Sequence, residues 1–405
     1  MVRKLNSFYG LIKSLKSFRY FFKRADILLF DGGRQVNIDG GKYNPTTLAF
    51  IRSLSEKYTV TIVDMNGLVE KSYYPGVEVI DISKFLSIFR ILSRLVSKKK
   101  WNRYINKIQS KIFKDYDKVV NLDSIFSNVY THQFIVAFFT KLLHKVKKYK
   151  VMIYSDNASH SMSINYARKN NIITIDYQHS IVSKLNILYS HPSTLTQAGR
   201  SYLSEYIFSY GSFWLKYFNQ YYKVYPVGSF QQELVLNQSK DIEKDRGCIT
   251  IVSGILSRKI LVEVALFISK ANPSLKIFYK LRPEEYDNWS DKYPEEIKLN
   301  KKISFIDNNT QELHYYLKKS EYVIGINSTV LIEALPFSKV IIYNHGWSDE
   351  MKDIIEAGYA LEANDFNEVV RIIKNNEEPL KNSISEDFFK SNVQSNICSV
   401  VSQLI

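Results

Sequence analysis

The sequence predicts an α/β protein made of two doubly wound domains that face each other across a central cleft. Three observations lead there. At 405 residues the chain is longer than one hydrophobic core usually serves, so two domains are expected. From residue 27 onward, short apolar runs alternate with helical stretches, the rhythm of parallel sheets crossed by helices. That rhythm breaks at the polar, charged segment 238–246 and restarts at Cys248. The expected layout is a first domain over 1–237, a second over 238–385, and a helix over 386–405 that folds back across the first.

The elements follow in order. Ile27-Leu-Leu-Phe30 reads as a strand ending in Asp31-Gly-Gly-Arg34, with a second glycine pair at Gly40-Gly41. A helical pattern over 44–56 and a strand over 58–63 complete the β–loop–α–β opening of a doubly wound domain. Further strands are expected at 118–121, 151–154, 172–176 and 224–227. In the second domain the pattern is strand 249–252, helix 259–270, strands 275–281 and 303–306, and helix 310–318. A βαβ crossover follows, with strands 322–326 and 339–343 around the polar turn Asn327-Ser328-Thr329 and its helix. Helices over 366–374 and 386–404 close the chain.

Charge divides the chain unevenly. Residues 1–150 hold 28 Lys and Arg against 11 Asp and Glu, whereas the remainder holds 27 against 29. Three basic stretches interleaved with apolar side chains, at 1–24, 84–118 and 134–150, all fall in the first part. This pattern suits an anionic membrane surface, each Lys or Arg near the lipid adding about 1 kcal/mol; solvated faces of core helices are the alternative for any one of them. Nucleic acid is the rival polyanion, but no zinc-finger spacing, RNP-like strand or helix-turn-helix is present, so no nucleic-acid partner is expected. No apolar run approaches the ~18 residues of a membrane span, and no secretory signal is evident. Two cysteines argue against a disulfide framework. The expectation is a cytoplasmic protein, peripheral at the inner face of the membrane.

Candidate site residues cluster at strand ends. Ser328 and Thr329 open a helix whose free N–H groups suit a phosphate, and Glu333 one turn on suits a ribose diol. A helix merely capped by Ser328 or Thr329 is the alternative reading. Gly254, with Ser257 nearby, would admit a ligand close to the backbone, or make a plain turn. Asp31, Gly32 and Gly33 lie at the first strand end, as an acceptor groove or an ordinary glycine turn. His179 is the candidate general base, with Gln178 beside it, or a structural histidine hydrogen-bonded within its loop; Asp156 is the alternative base, or a helix cap.

In chain order come Asp176-Tyr-Gln-His-Ser180, Gly211-Ser-Phe-Trp214, Tyr225-Pro-Val-Gly-Ser229, Ile251-Val-Ser-Gly-Ile-Leu-Ser257, Tyr279-Lys-Leu-Arg-Pro-Glu284 and Ser328-Thr329 with Glu333. Over roughly residues 170–345 this ordered set resembles bacterial surface-polysaccharide glycosyltransferases of the GT-B type, a group of capsule and lipopolysaccharide enzymes, some of them sialyltransferase-like. The resemblance implies two Rossmann-like domains, a nucleotide-sugar donor as substrate and a glycan or lipid-linked acceptor. Read chemically, Lys280 and Arg282 at the end of their strand would face the donor phosphate, or else pair with Glu284 or Glu285 at the surface, and Gln178 would orient sugar or phosphate. Ser180 stands where that family usually has Gly, and Arg282 where it usually has His. Arginine binds phosphate bidentately but does not titrate near neutral pH. Without an Asp-x-Asp element or a His/Cys cluster, neither a metal nor a further cofactor is expected, and inverting transfer is the expected chemistry. A polyol-phosphate transferase of the teichoic-acid type, a sugar-nucleotide 2-epimerase and a non-catalytic assembly scaffold remain alternatives.

Overall fold

Strands rich in Ile, Val, Leu and Phe, buried on both faces, set the architecture, as parallel sheets require. In the computed structural model the described residues are 17–32, 35–38, 41–70, 72, 74–88, 122–155, 157–186, 188–218, 220–237, 242–308, 313–381 and 386–405. Gly33, Asp156, the expected strand 118–121 and most of the first two basic stretches lie outside them.

Strand β1 (Ile27–Asp31) leads into an antiparallel ribbon, β2 (Val36–Ile38) and β3 (Gly41–Tyr43), and helix α1 (Pro45–Leu54). Then come β4 (Val60–Asp64), β5 (Glu78–Asp81), α2 (Leu122–Lys147), β6 (Val151–Tyr154), α3 (Asn157–Lys169), β7 (Ile173–Tyr177), β8 (Tyr206–Ser209), β9 (Lys223–Pro226) and α4 (Phe230–Asn237). Seven strands pair in parallel in the order β5-β4-β1-β6-β7-β8-β9.

The second sheet begins with β10 (Asp245–Val252) and α5 (Arg258–Ala271), then β11 (Lys276–Lys280), β12 (Ile303–Ile306), α6 (Leu313–Lys319) and β13 (Ser320–Gly325). Helix α7 (Thr329–Ala334), β14 (Lys339–Tyr343), β15 (Leu361–Ala363) and α8 (Phe366–Lys374) complete it. Its parallel order is β12-β11-β10-β13-β14-β15. The architecture is two doubly wound α/β units, as the sequence predicts.

Five strands were not expected: β2, β3, β5, β8 and β15. Each has only three or four residues and is a strand through pairing with its neighbours, not through a local pattern. The expected helix over 386–404 is corrected to α9 (Val393–Leu404). Residues 387–390 instead run along the first sheet's loops. Trp214 Nε1 donates to the Phe388 carbonyl at 3.0 Å, Phe213 N–H to that of Asp387 at 2.7 Å, and Lys390 N–H to that of Tyr210 at 2.8 Å. This crossing explains two glycines. A Cβ at Gly211 would collide with the Asp387 and Phe388 carbonyls, and one at Gly228, where φ is +101°, with that of Lys390.

Beyond the crossing, α9 packs Val393, Ile397 and Val401 into the core formed with Leu48, Phe50 and Ile51 of α1. A separate apolar core joins the two sheets' loops, with Ile181, Val182 and Trp214 from one side and Val252, Val323 and Leu331 from the other. Ile397→Ala is expected to destabilise the first unit by about 2–5 kcal/mol in urea unfolding, because a fully buried side chain leaves a cavity. Exposed Ser402→Ala, on the same helix, should change it by less than about 0.5 kcal/mol.

Candidate functional site

Parallel sheets collect their loops at the C-terminal strand ends, and both sheets here turn those ends toward one interdomain cleft. The cleft encloses about 1650 Å³ of space open to solvent. Gly32, Thr46, Asn66, Ser155, His179 and Tyr210 line it from the first unit, and Thr329, Ile332 and Glu333 of α7 from the second.

Much of the polar chemistry at the first sheet's end holds the loops in shape. Asp31 is buried and accepts hydrogen bonds from Asn44 Nδ2 at 3.2 Å and Thr47 Oγ1 at 2.6 Å. Asn44 in turn caps α1 by accepting from Thr46 N–H at 3.0 Å. Gly32 reaches the cleft; Asp31 lies behind it. Asp31, Asp64 and Asp81 stand in register across three neighbouring strands. Asp64 accepts backbone N–H bonds from Asn66 (3.0 Å), Gly67 (2.7 Å) and Val69 (2.9 Å). Burial outweighs those donors and, with the nearby Asp81, raises its carboxyl to about 6.

His179 follows β7. Its Nδ1 lies 3.1 Å from the Tyr189 hydroxyl, and burial pushes that phenol's pKa well up, so it stays neutral. Gln178 is fully buried: its Nε2 donates to the Ser180 carbonyl at 3.2 Å and its Oε1 accepts from Tyr210 N–H at 2.9 Å. It shapes the loop carrying His179 and is not part of the cleft wall.

On the opposite wall, Glu333 Oε2 lies 3.3 Å from His314 Nε2, both atoms buried. Gln232 Nε2 donates to the Glu333 carbonyl at 3.2 Å, and Lys318 Nζ to that of Val235 at 2.9 Å, so each unit grips the other beside the cleft. Ser328 caps α7 by accepting from Val330 N–H at 3.3 Å, while Thr329 is exposed to the cleft.

The remaining candidates lie outside the cleft wall. Lys280 is 6% exposed; its Nζ donates to the Tyr286 hydroxyl and sits 4.8 Å from that ring's centre. Its strand partner Val252 packs with α7, so Lys280 and α7 share one face of the second sheet. Arg282 is half exposed, with Nε 3.7 Å from Glu284. Glu285 anchors the loop beneath it, accepting from Ser253 Oγ (2.6 Å), Arg258 Nε (3.1 Å) and Tyr293 (3.1 Å). Burial opposes the Glu285 charge, yet these donors hold its carboxyl below the usual range. Gly254 accepts from Ser257 N–H at 3.1 Å in a turn, and Ser257 stands at the start of α5.

Sequence reasoning passed over Tyr210, Tyr189, Gln232 and His314. Tyr210 follows β8, which was itself unrecognised, and the others stand alone, with no motif around them.

No protein-family model matches the chain, and no curated protein does. Solved structures do. A UDP-N-acetylglucosamine 2-epimerase from Rickettsia bellii aligns with TM-score 0.56 at 11% identity, covering 93% of this chain and 95% of that one. The UDP-GlcNAc 2-epimerase from Neisseria meningitidis bound to UDP-GlcNAc aligns with TM-score 0.55 at 13% identity, over 93% and 98%. The glycotransferase of kitacinnamycin aligns with TM-score 0.51 at 10% identity, over 94% and 95%. The likeness is one of fold, the GT-B arrangement.

The Asp64 carboxyl supplies a pH test. Its folded value lies above the 3.8 of an ordinary aspartate, so its contribution to stability is complete below about pH 4 and lost as pH rises through about 6. The displacement is worth roughly 3 kcal/mol at 1.36 kcal/mol per pH unit. Asp64→Asn should lack that slope, and its unfolding free energy should gain on wild type by that amount between pH 4 and 7. Parallel slopes in urea unfolding would contradict the assignment.

Proposed function

We propose that the protein is an inverting glycosyltransferase that moves a sugar from a nucleotide-sugar donor to a glycan or lipid-linked acceptor. Its setting would be bacterial surface-polysaccharide synthesis at the inner face of the membrane. One observation carries the reading: the cleft sets His179 on one wall against Thr329 and Glu333 on the other, at the strand ends where doubly wound sheets bind ligands. Solved enzymes of the same fold that act on or bind UDP-sugars support it.

In this reading the second unit holds the donor. Glu333 accepts hydrogen bonds from a sugar or ribose diol, with His314 Nε2 3.3 Å from its carboxylate on the side away from the ligand. Arg282, half exposed beyond the end of β11, meets the phosphate and offsets charge on the departing nucleotide, while Lys280 stays buried against the Tyr286 hydroxyl. His179 removes the acceptor hydroxyl's proton as that oxygen bonds to the sugar's anomeric carbon and the bond to phosphate breaks. The tautomer that donates from Nδ1 to the Tyr189 oxygen leaves Nε2 as the base. In this reading the two units close over the donor and so exclude water.

The 2-epimerases among the similar structures favour a second reading, in which the same cleft inverts a sugar carbon and needs no acceptor. Donor incubation alone separates the two. An epimerase returns a new nucleotide sugar or free sugar, whereas the transferase leaves the donor intact until acceptor is added.

After a thermal-shift screen of UDP-, CMP-, GDP- and CDP-sugars finds the donor, Glu333→Ala should weaken its binding about 10- to 100-fold, the worth of a charged hydrogen bond. His179→Ala should lower kcat by about 10²–10⁴ with donor affinity unchanged. Tyr189→Phe should lower kcat about tenfold at constant KM, since it removes the hydroxyl that orients the imidazole and accepts from the His179 backbone N–H at 3.4 Å. Wild-type donor affinity in the Glu333 variant would remove the proposed site.

A further inference from the structure

Helix α2 has two unlike faces. Ile135, Val136, Phe139 and Leu143 are buried beneath the first sheet. On the other side Phe134 is 57% and Phe138 50% exposed, and Lys141 and Lys145, both exposed, continue the same stripe at i+7 and i+11. Two segments that pack against the buried side of α2 also carry exposed apolar or basic side chains. Phe85 packs edge-on against Phe139 at 6.0 Å, which brings Ile88, 43% exposed, and Lys84 alongside. At the helix C-terminus Lys147 Nζ donates to the Lys23 carbonyl at 2.8 Å, fixing the segment in which Phe22 is 77% exposed and Lys23 and Arg24 are exposed. Residues 132–150 hold five lysines and no Asp or Glu.

Exposed phenylalanines are costly in water, and lysines beside them are repelled by one another. Both costs fall together at a surface that is apolar below and negative above. A soluble polyanion would relieve only the second.

We propose that this face of α2 docks on an anionic lipid surface, with Phe134 and Phe138 entering the headgroup layer and Lys141, Lys145 and Lys148 lying over lipid phosphates. His132, two residues before Phe134, lines the interdomain cleft, so the docked face ends at the cleft mouth. A lipid-linked acceptor would reach the cleft without leaving the membrane. That last step rests on the glycosyltransferase reading; the docking itself does not.

The test is co-sedimentation of the full chain with phosphatidylglycerol-rich and with pure phosphatidylcholine vesicles, at low and high salt, with no donor present. Binding is expected to the first only, and to weaken with salt. Lys141→Gln with Lys145→Gln should weaken it about 25-fold, at about 5-fold per lysine. Phe134→Ser with Phe138→Ser should weaken it at least about tenfold, in keeping with lost apolar burial. All four side chains are exposed, so near-UV circular dichroism should match wild type; Phe22→Ser, on another segment, repeats the test independently. Equal binding to both vesicle types, full binding by the phenylalanine variant, or duplex DNA displacing the protein from vesicles would each overturn the proposal. A protein that binds as described yet transfers no sugar would instead count against the enzyme reading alone.

Discussion

The cleft depends on one apolar junction. Ile181, Val182 and Trp214 meet Val252, Val323 and Leu331, and Phe388, arriving from the far end of the chain, fills the space between them. Phe388 packs its ring 4.8 Å from that of Trp214, and its carbonyl takes the indole N–H. This contact satisfies a buried indole donor and closes an apolar core in one step. Through it, residues 387–390 run beside the first sheet's loops, and α9 follows onto α1. The two sheets face each other with a cleft between them because the chain passes back across their junction.

That arrangement divides the polar residues into two groups. Asp31, Asp64, Asp81, Gln178, Ser328 and Glu285 are largely committed to backbone N–H groups and neighbouring side chains, because a buried acceptor left unsatisfied costs ~1–3 kcal/mol. They hold the loops that present the second group. His179, Tyr210, Thr329 and Glu333 reach the open space, and each depends on one of the first group or on a contact between the units. Tyr210 N–H rests on Gln178, and the Glu333 carbonyl is held by Gln232. Chemistry at the cleft is therefore sensitive to residues that never touch a ligand.

Legibility followed element length and burial. Strongly apolar or amphipathic segments such as Val151–Tyr154, Lys339–Tyr343 and Phe366–Lys374 were read at their observed bounds, because hydrophobic pattern decides a strand buried on both faces and an amphipathic helix alike. The short strands β2, β3, β5, β8 and β15 were missed, because pairing with neighbours, not local preference, makes them strands. Gly211 and Gly228 entered the sequence reading only as members of the motif set that carries the family resemblance. Their physical reason is the passage of residues 387–390 against them, some 160 positions away in sequence.

The sequence alone determined an α/β chain in two doubly wound units, and it marked the strand ends where polar residues gather. Periodicity and burial tendency are local properties, so they can be read along the chain. Only the tertiary structure decided which of those residues meet. It put Glu333 beside His314 and both units' loops around one cleft, withdrew Gln178 and Asp31 into supporting roles, and turned Phe134 and Phe138 outward. These outcomes depend on distances between residues far apart in sequence, which packing sets and local composition does not encode.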